Sequence, residues 1–314
     1  MIINKPIFWD KKKLTLLSII FYPFSLIFLL LGCLKKAVVK KSKFDIPIIC
    51  VGNIYIGGTG KTPLVIEILK ILKKIGKKPV ILKKYNRSHT DEINLIKKST
   101  KDIIITGERT NGINEAIDKK FNVVISDDGL QDYSFFKDLN IVCFNNNQQI
   151  GNGFTIPSGP LREPLSALKN CKIAIINIEK LKDKYFEKKI KNYSKNISIF
   201  YSKYMPDQRV LKRLKKKNIF AFAGIGNTKN FFTLLKNYNL NVKQTVSFPD
   251  HYNYTKKELQ KMMTLAKKNN YIILTTEKDY NRIKKFNLKK IEYMPVSLKI
   301  FNQLKLLKKI KRFI

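Results

Sequence analysis

The stretch VGNIYIGGTGKTPLV, Val51 to Val65, sets glycines, a lysine and a threonine in the order of a phosphate-binding loop. Before it, the apolar, mostly β-branched run Ile48 to Val51 reads as a buried strand, with Pro47 at its entry where no ladder donor need be lost. After it, Leu64, Val65, Ile68, Leu69 and Leu72 recur at helical spacing. Gly57, Gly58, Thr59 and Gly60 therefore fall where strand turns into helix. Backbone N–H groups left unpaired by the first helical turn, reinforced by the helix dipole, can cradle phosphate oxygens there. Lys61 then reaches the outer phosphates, and the Thr62 hydroxyl holds Mg²⁺. One position departs from the pattern G-x-x-x-x-G-K-[ST]: Tyr55 stands where the first glycine is expected, so the loop is a variant.

The 314 residues leave ample chain to bury a core and allow one large or two ordinary domains. Hydrophobic residues make up 44%, the level of a globular and not a disordered chain. Against 23 acidic residues stand 62 lysines and arginines, a formal net charge of +39, which points to an anionic partner such as an acidic membrane or a nucleic acid. The lysines are scattered through every segment beside many Asn and Ile, so compositional bias accounts for the excess equally well. With no aromatic RNP pair and no Cys/His finger, a nucleic-acid partner is not expected. Cys33, Cys50, Cys143 and Cys171 stand far apart and read as reduced, buried small hydrophobes. That spacing, with His89 and His251 the only histidines, argues against a structural zinc site.

Leu14 to Leu34 (LTLLSIIFYPFSLIFLLLGCL) carries no charge and is bracketed by Lys11, Lys12 and Lys13 on one side and Lys35, Lys36, Lys40 and Lys41 on the other. About 20 apolar residues are what a helix needs to cross the hydrocarbon core, and the apolar region of a signal peptide is shorter. A membrane helix is expected, and Pro23 with lysines at both ends leaves open whether it spans or lies flat. From Ile48 onward the patterns alternate. Strands are expected at 48–51, 79–82, 103–106, 123–126, 141–144 and 173–178, with helices at 62–75 and 111–117. A second set from about Lys212 has strands at 219–223, 242–247, 271–275 and 292–296, helices at 229–238 and 256–269, and a Lys-rich closing helix. This is the βαβ rhythm of parallel sheets covered by helices.

Three further stretches carry chemistry. NVVISDDGLQ, Asn122 to Gln131, ends a strand in paired carboxylates at the ligand edge of such a sheet, where Asp127 and Asp128 can orient Mg²⁺ against the β/γ-phosphate bridge. IGNGFTIPSGPLREPL, Ile150 to Leu165, holds Arg162 in a rigid loop, either to stabilise charge on a transferring phosphoryl group or to pair with Glu163 or the sheet. HTDEINLI and SFPDHYNYTKKEL supply Asp91 with Glu92 and Asp250 with His251, a carboxylate and histidine inventory from which a base for an alcohol can be drawn.

Taken together, these residues resemble the tetraacyldisaccharide 4'-kinase family. The likeness runs in order through the apolar N-terminal stretch, VGNIYIGGTGKTP, TDEINLI, SDDGLQDY, GNGFTIPSGPLREP, FPDHYNYT and TTEKD (Thr275 to Asp279), and Tyr55 in the loop fits the family's own habit. The resemblance implies Lys61 and Thr62 on ATP and Mg²⁺, Asp127 and Asp128 near the metal, and Arg162 near the phosphates. It implies Asp91 as the base for a sugar hydroxyl, assisted by His251 from the second lobe, with Glu92 a further metal-site candidate. The chain departs from the family at Lys83, Lys84, Tyr85, Asn86 and Arg87, where Ser-Arg-Gly-Tyr-Gly is usual, and at Thr90 and Ile93, which replace a glycine and a proline.

The expected architecture is α/β: a P-loop NTPase-like parallel sheet with flanking helices, a second smaller α/β lobe and an N-terminal membrane helix. Its expected divisions are an anchor over 1–36, a P-loop kinase domain over 37–211 and a C-terminal α/β lobe over 212–314. The resemblance implies ATP-dependent phosphorylation of the 4'-hydroxyl of a lipid A disaccharide precursor at the bacterial inner membrane; the basic flanks suit an anionic surface, and a catalytic domain whose loop uses ATP is expected to face the cytoplasm. The alternative is a membrane-associated regulatory P-loop ATPase resembling the partition type. Those proteins carry a lysine just before the paired glycines, where this chain has Ile56.

Overall fold

The computed structural model describes residues 6–314 apart from 12, 87–89, 180, 181, 251 and 289. The chain divides into two compact units, one built from residues up to 85 with 99–203 and 300–314, the other from 86–98 with 204–299. In chain order the elements are α1 (Leu16–Ile20), α2 (Tyr22–Val38), β1 (Ile48–Gly52), α3 (Lys61–Lys73), β2 (Pro79–Lys84), α4 (Thr90–Ser99), β3 (Ile103–Thr106), α5 (Arg109–Asp118), β4 (Val123–Asp127) and β5 (Leu139–Asn145). There follow β6 (Ile173–Asn177), α6 (Lys184–Tyr193), β7 (Ser198–Pro206), α7 (Gln208–Leu214), β8 (Asn218–Ala223), α8 (Thr228–Asn237), β9 (Asn241–Ser247), α9 (Lys256–Lys268), β10 (Ile272–Thr276), α10 (Glu277–Ile283), β11 (Ile291–Met294), β12 (Val296–Ile300) and α11 (Gln303–Ile310).

In the loop-bearing unit the strand order is β7-β6-β5-β1-β4-β2-β3. β1, β4, β5 and β6 are near-continuous apolar runs because helices cover both faces of a parallel sheet and leave no side of the strand wet. β1 lies between β4 and β5, all parallel, and the register sets Val51 beside Asp127. The strand that delivers the paired carboxylates is therefore the immediate neighbour of the strand that feeds the glycine loop. On one face Phe144 and Phe186 meet edge to face at 5.3 Å within a core that also takes in Tyr55, Leu161 and Leu168. On the other, Ile46, Val80, Leu82, Ile104 and Ile113 close together.

The second unit has a four-stranded parallel sheet of order β11-β10-β8-β9. β9 alternates exposed and half-buried positions, as befits an edge, whereas β8 and β10 are almost wholly buried. Thr255 caps α9 in a reciprocal box with Glu258.

The N-terminal stretch corrects the expectation of a membrane helix. Leu14 to Leu34 forms two helices broken at Phe21, and among the described residues no helix is long and apolar enough to cross a membrane. The reason lies in its few polar residues. Thr15 caps α1, Pro23 lies in the first turn of α2, where a missing N–H is harmless, and Ser18 and Ser25 are buried. Ser25 Oγ donates to the Thr155 carbonyl at 2.8 Å and accepts from the Ser158 N–H at 2.9 Å, while Ser158 Oγ donates to the Ser18 carbonyl. The helices are thus hydrogen-bonded to the loop that leads to Arg162, and they leave Leu16, Phe24, Ile27, Leu30, Leu31 and Leu34 exposed. Cys50, Cys143 and Cys171 are buried as expected, but Cys33 on α2 is exposed.

Ser25→Val is expected to strand the Thr155 carbonyl and the Ser158 N–H, at a cost of about 1–3 kcal/mol. Hydrogen exchange at the Ser158 amide should then speed up by about tenfold or more; unaltered protection would mean that the serine bridge does not hold α2.

Candidate functional site

The glycine loop runs from the end of β1 to α3, which begins at Lys61 after Gly60. Gly57 and Gly60 have φ of +110° and +93°, a conformation in which a Cβ is strained, so glycine is required at both. Asn53 Nδ2 donates to the carbonyls of Tyr55 at 2.6 Å and Gly57 at 3.1 Å, bending the chain back on itself. Tyr55 explains the variant loop. Its ring is fully buried in the core, and its hydroxyl donates to Asp10 Oδ1 at 2.7 Å. Burial and that carboxylate push the phenol well above its ordinary pKa. The side chain points inward, so nothing at this position obstructs the loop's open side.

Lys61, Thr62, Asp127, Asp128 and Arg162 come together in this unit. Thr62 Oγ1 donates to Asp127 Oδ2 at 3.1 Å, and Lys83 Nζ donates to the same oxygen at 2.7 Å. Asp127 is fully buried, and its Oδ1 has no hydrogen-bond partner. Arg162 Nη1 spans both oxygens of Asp128 at 3.2 Å, and Lys61 Nζ lies 3.6 Å from Asp128 Oδ1. Burial opposes ionisation of Asp128, but Lys61, Arg162 and Lys83 outweigh it and hold the carboxyl below its ordinary value. Asp128 has φ +56°, a backbone conformation unfavourable for a side chain with a Cβ. Glu163, the alternative partner for Arg162, accepts instead from Gln131 Nε2 at 2.7 Å and from the Tyr133 hydroxyl.

Two residues that the sequence reading passed over hold this turn. Arg109, at the start of α5, is buried and donates to the carbonyls of Asp127 at 3.0 Å and Asp128 at 2.9 Å and to Asp132 Oδ2 at 2.9 Å. Gln131 Nε2 also donates to the Asn53 carbonyl at 3.0 Å, linking the carboxylate turn to the glycine loop. A signal for Arg109 existed in the composition. Only seven of the 62 basic residues are arginines, and a rigid fork of donors is what lysine cannot replace. Lys83 was legible only as a departure from a pattern, and its partner was not.

Asp91 and Glu92 open α4 in the second unit. Arg282 Nη2 donates to Asp91 Oδ2 at 2.7 Å, and Lys278 Nζ donates to Glu92 Oε1 at 3.0 Å. Burial alone would lower the Lys278 pKa, but Glu92 and Asp91 hold it above its ordinary value. Asp279, the last residue of TTEKD, is fully buried and organises this corner. It accepts from the Gly224 N–H, the Thr276 and Tyr254 hydroxyls and Arg282. Asp250 is exposed on the loop after β9, and His251 lies outside the described residues.

The donor set fits a nucleotide-borne dication. No cluster of three or more His, Cys, Asp or Glu side chains able to hold a metal occurs among the described residues; phosphates and water supply most ligands of a nucleotide-bound Mg²⁺. Thr62 and the unpartnered Oδ1 of Asp127 are the oxygens that suit it. Asp128 is paired with Lys61 and Arg162, and Glu92 with Lys278.

The family model described as tetraacyldisaccharide-1-P 4'-kinase matches residues 17–314. A tetraacyldisaccharide 4'-kinase of Pelagibacter ubique (strain HTCC1062) is 42% identical over 314 residues, covering 99% of this chain and 98% of the relative. One from Rickettsia bellii (strain OSU 85-389) is 34% identical over 88% of this chain and 89% of its own length. The crystal structure of LpxK from Aquifex aeolicus in complex with ATP superposes with a TM-score of 0.69 at 25% identity, covering 95% of this chain and all of that one. By family model and by relatives alike, this chain belongs to the tetraacyldisaccharide 4'-kinase family.

Proposed function

We propose that this chain transfers the γ-phosphoryl group of ATP to the 4'-hydroxyl of a tetraacyldisaccharide 1-phosphate, a lipid A precursor, at the cytoplasmic face of a bacterial inner membrane. The observation that carries this reading is the family match over residues 17–314, on a chain whose glycine loop, paired carboxylates and Arg162 share one cluster. The N–H groups of residues 57–62 bind the β- and γ-phosphates at the start of α3. Lys61 and Arg162, held on Asp128 in this structure, turn their charge to the phosphate oxygens, where charge develops during transfer. Thr62 and Asp127 would hold Mg²⁺, which supplies neutralisation across the β/γ-phosphate bridge when bound.

Asp91 takes the proton of the 4'-hydroxyl as that oxygen bonds to the γ-phosphorus and the bond to the bridging oxygen breaks, leaving ADP. Arg282 keeps one Asp91 oxygen oriented at 2.7 Å, and we assign His251 to assist. The exposed apolar face of α1 and α2, with Lys35 and Lys36 in the last turn, suits an orientation along an anionic membrane surface. Each lysine near such a surface adds about 1 kcal/mol. Family membership and Ile56 before the paired glycines weigh against the regulatory ATPase alternative.

With labelled ATP and the lipid acceptor in detergent, Asp91→Asn should lower phosphate transfer by about 10²–10⁴-fold with nucleotide binding intact, and Lys61→Met should lower transfer by about 10²-fold or more. Near-normal transfer by Asp91→Asn would remove it as the base. In co-sedimentation with anionic vesicles, Leu30→Glu combined with Leu34→Glu should weaken binding by about tenfold or more; equal sedimentation of variant and wild type would show that this face does not touch lipid.

A further inference from the structure

The register of the large sheet places three residues in one row: Val51 on β1, Asp127 on β4 and Lys83 on β2. Asp127 and Lys83 are Cα partners on adjacent parallel strands, so their side chains leave the same face of the sheet. Both are buried, at 0% and 3% exposure, and Lys83 Nζ sits 2.7 Å from Asp127 Oδ2. Lys83 thus presses an ammonium against one oxygen of the carboxylate assigned above to the metal, and leaves the other, Oδ1, without a protein donor.

The charge balance of the cluster follows from its contacts. In the ion pairs among the described residues Lys61, Lys83, Arg109 and Arg162 face Asp127, Asp128 and Asp132, four cations to three carboxylates. A bare dication entering this site meets an Asp127 that is already neutralised and an excess of positive charge, whereas a nucleotide polyphosphate meets attraction. Without Lys83 the cluster would balance, and Asp127 would present an uncompensated buried carboxylate to any cation that reached it.

Resting on the kinase reading above, we propose that Lys83 is a positioning residue that pre-neutralises Asp127, so that the loop binds nucleotide without metal and the dication enters on the nucleotide. Lys83 fixes one oxygen of Asp127 and aims the other at the site that Thr62 borders. It needs no contact with the substrate to do so.

The test uses the full-length detergent-purified protein and Mn²⁺, whose free fraction is read by electron paramagnetic resonance in the absence of nucleotide. Lys83→Met is expected to tighten Mn²⁺ binding by about tenfold or more over wild type, and Lys83→Arg, which keeps the charge, to restore the wild-type affinity. Equal Mn²⁺ affinity in wild type and a folded Lys83→Met protein would overturn the proposal, since a merely structural lysine would not move this readout. A second measurement needs no variant: wild type should bind trinitrophenyl-ATP in EDTA within about tenfold of its affinity in Mg²⁺. A loss of about a hundredfold or more in EDTA overturns the proposal even if Lys83→Met does not fold. If wild type binds the analogue in neither condition, the nucleotide reading of the loop fails first.

Discussion

A carboxylate buried at the carboxyl end of a central strand is costly unless its charge is paired. Asp127 is that carboxylate, and much of the loop-bearing unit serves to pair it and aim it. The parallel sheet supplies the position, because β4 lies between the strand of the glycine loop and the strand of Lys83. Thr62 and Lys83 satisfy one oxygen, and the other has no hydrogen-bond partner.

Around this centre the protein holds loops rather than side chains. Arg109 grips the two carbonyls of the carboxylate turn, Gln131 ties that turn to Asn53 and Glu163, and the N–H of Arg162 donates to the Ile54 carbonyl at 2.7 Å. Three loops distant in sequence are thereby fixed to one another by buried and half-buried hydrogen bonds, which preorganises the site. The same logic extends to the N-terminal helices, whose two buried serines bond to the loop before Arg162. A segment with the composition of a membrane helix is thus coupled to the phosphate site.

The sequence carried the βαβ rhythm plainly, because continuous apolar runs bounded by glycine and charge have few other readings, and the strands from 48 to 176 fall within a few residues of expectation. Helices α4 and α6 were less visible. Both are short and polar on their outer faces, so a few apolar residues mark each of them. A membrane helix over Leu14 to Leu34 was expected because hydropathy counts apolar length and does not weigh Ser18 and Ser25, which are buried with particular partners; Pro23 left open whether the segment spans or lies flat. At the site, the residues with motif spacing were legible, including Lys61, Thr62, Asp127 and Asp128. Arg109, Gln131 and the Lys83–Asp127 pair were not, since their partners are set by sheet order and register, which no local pattern encodes.

The central claim is that the cluster around Asp127 serves phosphoryl transfer to one hydroxyl of a lipid disaccharide. Phosphorus NMR of the lipid product, with the new phosphomonoester correlated to its sugar proton, tests it most directly. The account predicts a second phosphate on the 4'-carbon in an amount equal to the ADP formed. ADP released with no phosphate on the lipid, or phosphate at any other carbon, would contradict it.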